Sequence, residues 1–284
     1  MAQFEIKDGV AIIPDGTTEI RYDAFKGCTS LESIIIPDSV TEIGRWAFDG
    51  CTSLKSITIP KSVKKIEEGA FYGCTSLESV TIPKGVKKIN GRTFKGCTSL
   101  ESVTIPEGVT EIGNDAFDGC TSLESITIPN SVTEIGDYAF NGCTSLESIT
   151  FSASATKIGI GAVDGCTSLE SIALPENLKS IGYNAFYQCT SIKEISIPNT
   201  VTSIEGGAFS NCTSLASVKL PPLFNYECGT GMFFGTSITK IEIDYSGIET
   251  VELDGSIYAD DMKALIKYGG EGSSFTVPDS VICI

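Results

Sequence analysis

Nine cysteines, Cys28, Cys51, Cys74, Cys97, Cys120, Cys143, Cys166, Cys189 and Cys212, recur every 23 residues, and each opens a variant of CTSLESITIP followed by xxVxxIGxxAFxG. Two further columns run in step. Leu31, Leu54, Leu77, Leu100, Leu123, Leu146, Leu169, Ile192 and Leu215 make one. Phe25, Phe48, Phe71, Phe94, Phe117, Phe140, Phe186 and Phe209 make the other, with Val163 as its exception. A period of this length, kept over nine units, restricts the chain to a solenoid in which each unit stacks on its neighbours. Within a unit, LESITIP alternates apolar and polar residues up to a proline that cannot donate to a ladder, which predicts a short strand. The V-x-x-I-G-x-x-A-F segment spaces its apolar residues three or four apart, which predicts a bent or partly helical return closed by glycines such as Gly27, Gly50 and Gly73. Strands repeated at constant period pair in parallel, about 4.8 Å apart.

The ends depart from the repeat. In FEIKDGVAII, Asp8-Gly9 between apolar runs predicts a type I′ hairpin, so residues 1–27 are expected to be an N-terminal cap with a partial first repeat. Repeats are expected over 28–235, and degenerate repeats with a C-terminal cap over 236–284. Within that cap, residues 256–268 predict an amphipathic helix: Tyr258, Met262, Leu265 and Ile266 share a face, Asp260 and Asp261 lie in the first turn, Lys267 in the last, and Gly269-Gly270 stops it. SSFTVPDSVICI follows as a last strand or pair of strands. Two internal units also break the rule. One has Phe151-Ser152 for Ile-Pro together with Val163; the other has PPLFNYECGTGMFFG, where Phe224 and Tyr226 either form an aromatic pocket or refill a disrupted rung.

The repeated phrase over residues 28–235 resembles the BspA-like leucine-rich-repeat family. The resemblance implies an α/β repeat fold, a leucine-rich-repeat solenoid with a parallel β-sheet on its concave face. Family members are commonly exported surface proteins of host-associated microbes, often regarded as adhesins, so it also implies a cell-surface or secreted protein.

Charge and composition narrow the chemistry. The formal charge is −16 and the pI near 4.4, so duplex DNA and anionic membranes are repelled by most of the surface. No apolar run is long enough to span a bilayer, and Met1-Ala2-Gln3-Phe4-Glu5 lacks the basic and apolar regions of a signal peptide. The chain is therefore expected to be cytoplasmic, or to have lost a signal. Histidine is absent, which removes the usual general base and metal ligand.

Each candidate site has a plainer reading. The cysteines form no C-x-x-C pair, and vertical neighbours hold their Cβ atoms too far apart to bond, so they read as buried thiols; Cys228 and Cys283 lie off the column and are the likelier reactive ones. Ser33, Ser56, Ser79, Ser102, Ser125, Ser148 and Ser171, alternating with Thr58, Thr81, Thr104, Thr127 and Thr150, have no base to activate them and read as a uniform polar ladder. Glu78, Glu101, Glu124, Glu147 and Glu170 offer one carboxylate per rung, too few for calcium, and read as a solvated edge. Residues 55–95 differ. They hold Lys55, Lys61, Lys64, Lys65, Lys84, Lys87, Lys88, Arg92 and Lys95 against Glu67, Glu68 and Glu78, a local charge of +6. Lys61/Lys84, Lys64/Lys87 and Lys65/Lys88 stack one above another, which either recruits an anionic partner or reflects duplication alone. Trp46 shares a variable slot with Tyr138 and is a candidate interface anchor. These residues predict a monomeric, non-catalytic recognition or adhesion module with a protein or glycan partner and no cofactor, nucleic acid or membrane insertion. An intracellular protein-interaction scaffold is the alternative. An enzyme would need its site in the irregular 221–235 segment or the C-terminal cap.

Overall fold

The structure is a computed structural model describing residues 4–221, 231–243, 250–253, 256–259 and 265–267. Ile6–Lys7 and Val10–Ile12 form the expected antiparallel hairpin, with Asp8 and Gly9 at φ 50° and 77° as a type I′ turn requires. Val10–Ile12 then pairs in parallel with Ser33–Ile35, which starts the front ladder.

The front ladder comes from the SITIP phrase. In Ser125–Thr127, Ile126 turns into the core while Ser125 and Thr127 stay exposed, and the strand pairs residue for residue with Ser148–Thr150 one rung on. Pro129 ends the strand, and its carbonyl accepts the Val132 N–H at 3.0 Å to close a turn. Stacks of such strands recur to Lys240–Ile243, with single bridges at Ser56–Ser79 and Thr150–Ala173.

The return segments are not helical. Among the described residues there is no helix, and the V-x-x-I-G phrase contributes a second parallel ladder. Its members run from Glu19–Ile20 through Glu42–Ile43 to Lys65–Ile66, and again from Lys88–Ile89 to Ser203–Ile204. The three-to-four spacing that resembles a helix arises because Val closes the proline turn while Ile points inward from the strand that follows. Beyond the strand the chain bends through residues that alternate in handedness. Asp23 has φ 54° and Gly27 φ 69°, so the N–H groups of Asp23, Phe25 and Gly27 all reach carbonyls of the next rung, at 3.1, 2.7 and 2.6 Å. A helix would have spent those donors on its own carbonyls.

The expected helix over 256–268 is also corrected. Ser256–Ala259 and Leu265–Lys267 are strands in an antiparallel sheet with Thr250–Leu253. Leu253 pairs with Ser256, and Ile257-Tyr258 has strand rather than helix propensity. SSFTVPDSVICI lies outside the described residues.

The core is the set of columns read from the period. Phe25, Phe48, Phe71, Phe94, Phe117 and Phe140 are fully buried and stack at 5.2–5.4 Å between ring centroids. Phe4 adds to one end at 5.7 Å and Phe233 stacks on Phe209 at 5.5 Å, while Val163 interrupts the pile.

Candidate functional site

The lysine edge lies along the second ladder. Register places Glu42 beside Lys65 and Lys88 beside Glu111, and both cations are used. Lys65 contacts Glu42 at 3.3 Å and also Glu67, and Lys88 contacts Glu111 at 2.6 Å. Their pKa values rise, chiefly through the hydrogen bonds to Glu67 and Glu111 respectively. Lys61, Lys64, Lys84 and Lys87 are exposed and make no ion pair among the described residues. The six stacked lysines therefore divide into two held by carboxylates and four that present charge to solvent. The second ladder is interrupted between Lys65–Ile66 and Lys88–Ile89, where these cations stack. Asn90 patches the break by donating its side-chain amide to the Ile66 carbonyl at 2.7 Å, a bond that Glu67 and Gly113 make with backbone N–H one rung either side.

Arg92 and Lys95 are not part of that free charge. Arg92 contacts Glu68 at 3.3 Å and Asp115 at 3.6 Å, and Lys95 contacts Asp115 at 2.7 Å and Asp118 at 2.6 Å. Arg45 joins the same network through Glu68. Such exposed pairs add little stability each, but a network fixes the side chains it includes.

Trp46 sits beside this network with φ 55°, a left-handed conformation that costs a bulky residue on the order of 1–3 kcal/mol. Its ring lies over Gly69 of the next rung, so close that a Cβ there would fall 2.2 Å from the ring. Tyr72 packs edge-on at 5.5 Å, and the Lys26 ammonium stands 6.0 Å from the ring centroid. Tyr138 repeats the arrangement at φ 55° over Gly161 and is 42% exposed. The pairing of an aromatic with glycine 23 residues later is visible in the sequence, and reasoning from the repeat alone passed over it. A trough of about 450 Å³ is lined by residues from Glu68 to Lys157, with Gly91, Gly113 and Gly136 among them and five carboxylates against Arg92 and Lys157.

The profile of the BspA type leucine-rich repeat region matches in six copies over residues 18–147 and 133–254. The chain belongs to the BspA-type leucine-rich-repeat family. Among solved structures it is similar to a leucine-rich repeat protein from Bacteroides ovatus, at 27% identity over 83% of this chain and 71% of that one, with a TM-score of 0.59. A leucine-rich repeat protein of T. pallidum is 35% identical over 56% of this chain and 77% of its own, with a TM-score of 0.52. The pneumococcal vaccine antigen PcpA is 27% identical over 80% of this chain and 60% of its own, with a TM-score of 0.54. No curated protein matches.

In this BspA-type chain the cysteine column has an architectural role. Each thiol from Cys51 to Cys212 donates to the carbonyl of the residue 26 positions earlier, at 3.0–3.2 Å: Cys51 to Phe25, Cys120 to Phe94, Cys212 to Phe186. Burial pushes Cys51 and Cys97 up to about 12, so neither is a thiolate at neutral pH. Apart from the half-buried Ser33, the front-ladder hydroxyls and the Glu78–Glu170 edge are exposed, and no group of three metal-ligating side chains converges among the described residues. Phe224, Tyr226, Cys228 and Cys283 lie outside the described residues. No helix of the described residues is long and apolar enough to cross a membrane.

Proposed function

We propose that the chain is a non-catalytic recognition or adhesion module, displayed at a cell surface or secreted, that receives an anionic protein or glycan on Lys61, Lys64, Lys84 and Lys87. One observation carries this reading: four exposed, unpaired cations stand in two adjacent rungs of a chain whose net charge is −16. Opposite local charge concentrates and orients an anionic partner, and unpaired ammonium groups have no internal pair to break first. Kinship with a vaccine antigen supports the surface placement. Residues 28–235 serve as the recognition body, with 1–27 and 236–284 as its caps.

The test is an array of heparin, chondroitin sulfate and acidic extracellular proteins. Association should slow as salt rises, because exposed charges are screened over about 8 Å at physiological ionic strength. Changing Lys61, Lys64, Lys84 and Lys87 to Glu should abolish that binding and its salt dependence with the melting curve unchanged. Thr110→Glu with Thr133→Glu, at the Lys64 position in later rungs, should leave it intact. Equal effects from both sets, or none from either, count against the lysine edge. The second reading, an intracellular scaffold, draws on the unpaired cysteine column, since free thiols suit a reducing compartment. Labelling of intact source cells with a membrane-impermeant reagent separates the two.

A further inference from the structure

On the reading that the lysine edge receives an anionic partner, we infer that its ligand is a short sulfated sugar segment lying across the rungs, not a long polyanion lying along the solenoid. In the direction of the solenoid the patch ends abruptly. Down one column the residues are Asp15, Asp38, Lys61, Lys84 and Glu107, so exposed carboxylates close in the two cations on both sides. Down the other, Lys64 and Lys87 stand between Thr41 and Thr110. The phenylalanine rings of these rungs stack 5.2–5.4 Å apart. A polyanion running along the axis therefore meets Asp38 or Glu107 one rung beyond the last lysine, inside the roughly 8 Å over which exposed charges act. A ligand no longer than two rungs avoids both.

The stems of Lys64 and Lys87 are also seated before any ligand arrives. The position after Lys61 is serine in four rungs, as Ser39, Ser62, Ser131 and Ser154, but it is Gly85 and Gly108 in the two rungs that follow Lys64 and Lys87. A Cβ on Gly85 would stand 3.3 Å from Lys64 Cγ, and one on Gly108 would stand 3.2 Å from Lys87 Nζ. The missing side chains are the room those lysines occupy. Serine at this position makes a bond that glycine gives up, since Ser62 donates to the Val40 carbonyl at 2.7 Å. Each lysine is thus matched to a glycine in the next rung, as Trp46 is to Gly69. An ammonium group whose stem is already placed loses less freedom when it binds.

The donor set favours sulfate esters on a sugar over a phosphate group. Bidentate recognition of phosphate calls for arginine, and Arg45 and Arg92, carried by the neighbouring turns, are both tied to Glu68. What remains free is four ammonium point charges, which suit singly charged esters spaced along a sugar. Hydroxyls lie beside them. Thr58 and Thr81, three residues before Lys61 and Lys84, are exposed on the front ladder, and a hydroxyl both donates and accepts, as sugar hydroxyls require. Across the rungs, a ligand passes from these hydroxyls to the cations. The carboxylates beyond, Glu42, Glu67 and Glu111, are already held by Lys65 and Lys88.

The experiment is calorimetric titration of the whole chain with heparin-derived oligosaccharides, from the disaccharide to the dodecasaccharide, with affinity counted per disaccharide. Tripolyphosphate is the phosphate comparison. Affinity should level off by the tetrasaccharide, and tripolyphosphate should bind about tenfold more weakly. Gly85→Ser leaves the charge unchanged and installs the residue of other rungs, yet it should weaken tetrasaccharide binding about fivefold with the melting curve unmoved. Glu107→Lys with Thr110→Lys adds a third rung to both columns, and should strengthen the dodecasaccharide about tenfold more than the disaccharide. Affinity per disaccharide that keeps rising to the dodecasaccharide, equal binding of tripolyphosphate, or no effect of Gly85→Ser in folded protein overturns the assignment. Loss of binding in the four-lysine variant would in those cases still uphold the lysine edge as an anion site. Binding of none of the oligosaccharides overturns the assignment as well, whatever the acidic proteins of the array do.

Discussion

Single residues show how far identical positions in a repeat differ in chemistry. Cys28 is the first of its column and is only half-buried, whereas Cys51 to Cys212 are buried. Maleimide labelling of the native protein should mark Cys28 alone among the nine column cysteines, with Cys51 through Cys212 reacting only after denaturation. Labelling of Cys120 in the native state would show that the thiols are not sealed. Asp164 differs in another way. Burial pushes its carboxyl up to about 6, from an ordinary value of 3.8. Its folded form therefore holds the proton more tightly than the unfolded chain does. The stability it contributes is present below about pH 4 and is lost as the pH rises through 6. Asp164→Asn, which copies Asn141 one rung earlier, should raise the urea midpoint at pH 7.5, with the gain shrinking by pH 5. An equal gain at both values would mean that the carboxyl is not burdened by its surroundings.

At the scale of the element, the left-handed position before Ala-Phe obeys a rule between rungs. Trp46, Tyr138 and Asn184 are each followed 23 residues later by glycine, whereas Asp23 and Asp115 are followed by Trp46 and Tyr138. The Trp46 and Tyr138 rings and the Asn184 amide lie where the next rung's Cβ would be, whereas Asp23, Arg92 and Asp115 leave room for a side chain there. Gly69→Asn should cost about 1–3 kcal/mol by denaturant titration, and adding Trp46→Asp should recover most of it. Failure of the second change to rescue the first would place the cost in the backbone instead. The columns of Phe, Cys and Leu were legible in the sequence because burial in a stack demands one residue type per position. The second ladder was not, since a two-residue strand such as Lys88–Ile89 is too short to show alternation. Nor were the ion pairs. Lys65 and Lys64 look alike in the chain, and only the register with Glu42 separates them. The helix predicted over 256–268 failed for a related reason: three-to-four spacing of Tyr258, Met262 and Leu265 fits a helix, while strand pairing depends on partners elsewhere in the chain.

For the molecule as a whole, contacts run only to the rung before and the rung after, so the cost of a cavity depends on where it falls. Phe117 is fully buried between Phe94 and Phe140, and Phe117→Ala should lower stability by about 3–5 kcal/mol. Phe4 has a stacking partner on one side and is partly exposed, so Phe4→Ala should cost clearly less. Equal losses in denaturant titration would contradict nearest-neighbour coupling. The constant register has one more consequence. Glu111 pairs with Glu134, and Ile112 with Ile135, at the same offset as in every rung around them, so a whole unit can be copied or lost without disturbing any bond elsewhere. Length in this molecule is therefore counted, not tuned: Trp46 and Tyr138 can move apart only in whole steps of one rung, as marks on a ruler do.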